Sequence, residues 1–119
     1  MPPITRLSIL AVVALAGCAS APPYSGPPGK HLVYVDGQGR AVRQFDYPDD
    51  AFCRRVQSIA GRGAHCQPEP APGLAASATL RYNPPGVLVE GHYADLERCR
   101  KDTRTMAPGV TLINACRAR

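Results

Sequence analysis

Four cysteines, Cys53, Cys66, Cys99 and Cys116, constrain this 119-residue chain more than any other feature, because each cross-link between them ties down a long stretch of a short polymer. In an oxidising compartment an even number of cysteines favours disulfides, and four allow three pairings. The neighbouring residues favour one. Asp49 and Asp50 precede AFCRRVQSIA, which predicts a helix ending near Gly61 with Cys53, Val56, Ile59 and Ala60 on one face. Leu96, Cys99, Thr103 and Met106 fall at spacings of three and four and predict a second helix from Ala94 to about Met106. In the last strand Cys116 alternates in step with Val110, Leu112 and Asn114, so it can point at the helix carrying Cys99. The expected bridges are therefore Cys53 with Cys66 and Cys99 with Cys116, each joining a helix to the strand that follows it. Closing a loop of about 15 residues stabilises by about 3 kcal/mol on chain-entropy grounds. The pairing requires Cα separations of about 4.4–6.8 Å.

The elements around the cysteines repeat. HLVYV and RAVRQF flank DGQG, as in a β-hairpin, and the first helix and a short strand AHCQ follow. PEPAPG, residues 68–73, interrupts regular structure and reads as a connector. Then ATLRY, NPPG, VLVEGH, the second helix and VTLINACR return in the same order. Two adjacent prolines cannot both take the angles of a two-residue hairpin turn, so NPPG demands a longer loop or a cis proline. Aligning Cys53 with Cys99 brings Leu32 near Leu80 and Tyr34 near Tyr82. Duplication of a ββαβ unit and chance likeness of two hairpin-helix units both account for this. The expected fold class is α+β: a small, mostly antiparallel sheet with two helices on one face, in two similar ββαβ halves.

The N-terminus reads as an address. Arg6 precedes an apolar run from Leu7 to Leu15, too short to span a bilayer, which takes roughly 20 apolar residues. Leu15, Ala16, Gly17 and Cys18 then resemble the lipobox of bacterial lipoprotein precursors. That resemblance implies a signal peptide over 1–17, diacylglyceryl attachment to the Cys18 thiol, cleavage before it and acylation of the new amine, palmitate-type chains that together anchor stably. It also implies a place in the cell envelope facing the periplasm or surface. Ala19 is not the Asp that resemblance to enteric lipoproteins associates with inner-membrane retention, which favours the outer membrane. Residues 18–30 then form the lipidated Cys and a Pro/Gly-rich tether, of which ASAPPYSGPPGK could reach about 35 Å if extended. Residues 31–119 form a single small domain.

Fourteen Lys and Arg against nine Asp and Glu give a net charge of +5, too modest a bias to point to nucleic acid. Arg54, Arg55, Arg98, Arg100, Lys101 and Arg104, with Arg117 and Arg119 near the C-terminus, predict basic outer surfaces. Those surfaces suit either solvent or an anionic neighbour such as lipid head groups, lipopolysaccharide phosphates or an acidic envelope protein. The residues carry no C-x-x-C, no H-x-x-x-H, no nucleophile elbow and no phosphate loop, so neither a metal nor another cofactor is expected. His65 and Cys66 are neighbours that a strand sends to opposite faces. Asp49 and Asp50, like Asp95 with Glu97, stand where helices need caps, and Asp36 with Gly37 is turn chemistry. The expectation is a membrane-anchored, non-enzymatic binding or structural module. The alternatives are an accessory subunit of an envelope assembly and a hydrolase assembled around His31, His65 or His92, for which a histidine must meet a carboxylate and a nucleophile in a pocket.

Overall fold

The computed structural model describes residues 26–119, so the leader, Cys18 and the tether up to residue 25 lie outside the described residues. The elements are β1 (His31–Val35), β2 (Ala41–Asp46), α1 (Asp50–Ala60), β3 (Ala64–Gln67), β4 (Ala76–Tyr82), β5 (Val87–Tyr93), α2 (Leu96–Arg104) and β6 (Val110–Ala118). All strand pairs are antiparallel, and the sheet order is β3-β1-β2-β5-β4-β6. This is a small α+β fold. No helix among the described residues is long and apolar enough to cross a membrane.

The chain runs through ββαβ twice. Each half supplies three strands, and they meet where β2 pairs with β5: Gln44 lies opposite His92, flanked by Arg43 opposite Tyr93 and Phe45 opposite Gly91. One spacing carries Leu32 to Leu80, Tyr34 to Tyr82, Gln44 to His92 and Phe45 to Tyr93. An approximate two-fold normal to the sheet therefore passes through the Gln44–His92 pair. A two-fold in that direction returns each face to itself, which is why both helices pack on one face. Their buried residues join a single core that includes Leu32, Phe45, Tyr47, Leu80, Val89 and Tyr93 with both helix cysteines.

Local chemistry sets the helix ends. The Asp49 carboxylate accepts from the Phe52 N–H at 2.7 Å, and the Asp95 carboxylate accepts from the Arg98 N–H at 2.7 Å. Asp95 caps α2 from outside it, so the helix starts at Leu96 rather than Ala94, and Thr105 takes an extended backbone that ends it at Arg104, two residues short of the expected Met106. Cys53 is bonded to Cys66 and Cys99 to Cys116, with Cα separations of 6.1 and 6.0 Å. Each bridge fastens a helix to its following strand. The NPPG loop occupies residues 83–86 between β4 and β5, with the Asn83–Pro84 and Pro84–Pro85 peptides both cis.

Aromatic rings fill the seam between the halves. Phe45 meets Tyr34 and Tyr93 edge-on, Tyr47 stacks on Phe52, and the Tyr47 and Tyr82 hydroxyls are 2.9 Å apart. Gly91 makes this possible, since a Cβ there would stand 2.8 Å from the Tyr93 hydroxyl and 3.2 Å from the Phe45 ring. Burial raises the phenol pKa of Tyr47 and Tyr82, and with the Asp102 charge raises that of Tyr93 to about 12.

Two sequence expectations about side-chain direction need correction. Ile59 is 85 % exposed, because six residues of helix carry it about 120° around from Cys53. Gln57 faces the sheet instead, accepting from the Cys66 N–H at 2.8 Å. Asn114 is out of step with Cys116: register shifts along β6 set Asn114 opposite Thr79, whose neighbours Ala78 and Leu80 face the helices. Arg117 and Arg119 are exposed at the C-terminus, where Arg117 pairs with Glu90 and Arg119 bonds the Leu74 and Ala75 carbonyls.

Candidate functional site

The helix-free face of the sheet is polar near the two-fold. Alternation sends His31, Gln44, Asp46, Ser77, Thr79, Glu90 and His92 there, opposite the core residues beside them in each strand. His31 Nδ1 lies 2.7 Å from one Asp46 carboxylate oxygen and His92 Nε2 lies 2.8 Å from the other. The Gln44 amide N–H donates to Asp46 at 2.6 Å. Burial pushes the Asp46 carboxyl up, but the bonds from His92, His31 and Gln44 outweigh it and hold the group at about 2.

Residues 68–75 run as a strap from β3, at one end of the sheet, across this face to β4. The sequence marks the connector, but only the sheet order makes it cross. Ala71 and Leu74 pack with Val33, and the Ala71 N–H donates to the Gln44 carbonyl oxygen at 2.7 Å. The strand order thus hides the two histidines, whose side chains are 13 and 12 % exposed. Gly29 lies so close to the start of the strap that a Cβ would stand 2.2 Å from the Gln67 carbonyl carbon, which fixes where the tether enters the domain. His65 lies on the same face, within 2.8 Å of the Gln67 side-chain oxygen.

The carboxylate required for a hydrolase is present, and a serine stands nearby. Ser77 lies opposite His92 in register, yet it is buried at 3 % exposure and no hydrogen bond joins the two. His92 Nδ1 is buried without a hydrogen-bond partner. Among the described residues no group of three or more His, Cys, Asp and Glu side chains is placed to hold a metal ion. Chemically, the row ties β1, β2, β5 and the strap together through one carboxylate and one amide.

The second polar feature lies on the helix side. Arg54 and Arg55 on α1, and Arg98, Arg100, Lys101 and Arg104 on α2, are all exposed. Arg55 lies over the Phe52 ring at 5.2 Å, and Arg104 Nε donates to the Arg100 carbonyl at 3.4 Å. Lys101 and Arg104 come together with Arg43, Asp102 and Thr105 around a shallow recess. Arg43 was not among the expected basic residues. Its signal in the sequence was a lone charge in step with Phe45 on the apolar side of β2.

Fold and site together define a small disulfide-bonded α+β domain with a half-buried His-Asp-His row on one side and an exposed cationic surface on the other. Compared with family models, curated proteins and solved structures, the chain matches none of them.

Proposed function

We propose that this protein is a lipid-anchored module of the bacterial cell envelope, outer membrane rather than inner, that binds an anionic neighbour non-enzymatically through the outer surfaces of its two helices. One observation carries the binding part of this reading: six cations stand exposed on two helices that separate disulfides hold on the same face of one sheet. A cross-linked scaffold keeps their spacing constant, so little ordering is needed on contact. The anchoring part rests on the lipobox-like LAGC ending at Cys18.

The test has two arms. Membrane fractionation with mass spectrometry of the N-terminus should find wild-type protein in the membrane with lipid on Cys18, and Cys18→Ser protein uncleaved or soluble. Soluble, unlipidated wild-type protein cut elsewhere would refute the anchor. Cys18→Ser protein recovered in soluble form, free of its leader, should be captured by envelope membranes at low salt and released as salt rises, and replacing Arg98, Arg100 and Lys101 by Glu should abolish capture. Capture indifferent to both salt and charge reversal would refute the docking surface.

A further inference from the structure

The recess on the helix side brings together groups far apart in the chain. Arg43 comes from β2, while Lys101, Asp102 and Arg104 come from the last turns of α2 and Thr105 from its end. The Arg43 guanidinium carbon lies 4.3 Å from the centre of the Tyr34 ring, and one of its nitrogens lies 3.5 Å from the Asp102 carboxylate. A guanidinium offers five N–H donors in a plane. Stacking on Tyr34 fixes that plane, and a single contact to Asp102 leaves most of its donors unused.

Charge balance points the same way. Three cations line the recess against one carboxylate, and among the described residues neither Lys101 nor Arg104 has an acidic partner. Cations in a last helical turn also answer the helix dipole, which accounts for Lys101 and Arg104. It does not account for Arg43, which sits on a strand, is half-buried and is held by an aromatic ring.

We propose that the recess is a binding site for a multiply charged phosphate anion, a phosphomonoester or pyrophosphate group, held by Arg43, Lys101 and Arg104 with the Thr105 hydroxyl as a neutral donor. The local excess of two positive charges suits an anion with two or more negative charges better than a carboxylate. The pre-oriented planar fork of Arg43 suits a tetrahedral anion with several acceptor oxygens. This inference rests on the anionic-neighbour reading above and narrows it from a surface to a site.

The experiment is an NMR titration of the full chain, with both disulfides formed and in non-ionic detergent, using sodium pyrophosphate as the probe. Saturable shifts should centre on the amides of Arg43, Lys101, Arg104 and Thr105. Lys101→Gln, an exposed substitution that leaves the core untouched, should weaken binding about tenfold, as expected for one charge-assisted contact. Arg43→Gln should weaken it at least as much. A parallel arm uses vesicles containing phosphatidic acid: recruitment of Cys18→Ser protein that Lys101→Gln removes identifies a lipid source, and pyrophosphate binding without recruitment identifies a soluble one. Shifts that do not saturate, or that persist unchanged in Lys101→Gln, overturn the site. If salt-sensitive capture by envelope membranes persists alongside that failure, only the site falls and the broader docking reading stands.

Discussion

The first half of the domain, residues 31–67, and the second, residues 76–118, pass through the same four elements but treat the helix-free side of the sheet differently. In the first half the strap covers Val33 and Gln44, and beside it the half-buried row of His31 and Asp46 reaches across the seam to His92 of the second half. In the second half Leu88 and Arg81 are exposed, and Glu90 is satisfied by Thr79 and Arg117 at the partly open surface. The edge strands differ as well, four residues in β3 against nine in β6. What this teaches is that similar local units acquire different chemistry from whatever crosses them. A connector that must travel from one end of the sheet to its far side buries the polar groups beneath it, and burial turns them into a network.

The largest expected effect tests the similarity of the halves. Replacing Cys53 and Cys66 together by Ala, or Cys99 and Cys116 together by Ala, should each cost about 3 kcal/mol by guanidinium denaturation, since the loops closed are of similar length. A bridge whose removal leaves the midpoint unchanged would break the comparison at its base.

The strap offers the next test. Gln44→Ala deprives the Ala71 N–H of its acceptor beneath a covered face and should destabilise by about 2 kcal/mol. Hydrogen exchange at the Ala71 amide should rise with it, while amides of β6 remain as they were. Uniform acceleration across both halves would mean the strap has no local role.

Acid sharpens the contrast between Asp46 and Glu90. A carboxyl held below its ordinary 3.8, at about 2, stabilises the fold above pH about 4, and that contribution disappears as pH falls through about 2. Allowing for solvent screening, it amounts to about 1–2 kcal/mol. Asp46→Asn should remove this acid-sensitive component from the pH dependence of unfolding. Glu90→Gln should leave it in place and cost no more than about 0.5 kcal/mol, as partly exposed ion pairs do.

Capping should reveal the least difference. Asp49→Ala and Asp95→Ala each remove one hydrogen bond of the same length at a helix start and should each cost about 1 kcal/mol. Unequal losses measured by thermal melts would show that one helix depends on its bridge and the other on its cap.

Much of this was legible in one dimension because the signals are local. Caps at Asp49 and Asp95, the turn at Asp36, strand alternation and helix-to-strand disulfides all depend on residues fewer than twenty positions apart. Ile59 and Asn114 were misplaced because helix rotation and strand register shifts accumulate small offsets that spacing alone does not reveal.

By itself, then, the sequence determined the elements, their order, the cysteine pairs and an outward-facing set of cations, each through periodicity or loop length. Only the tertiary structure decided that β2 pairs with β5, and so that Asp46, already opposite His31 across the β1–β2 hairpin, also meets His92 and that Arg43 reaches Asp102. Those last two pairs lie 46 and 59 positions apart. No short-range preference encodes such meetings; they follow from burying one apolar sheet face beneath two helices and pairing the halves edge to edge.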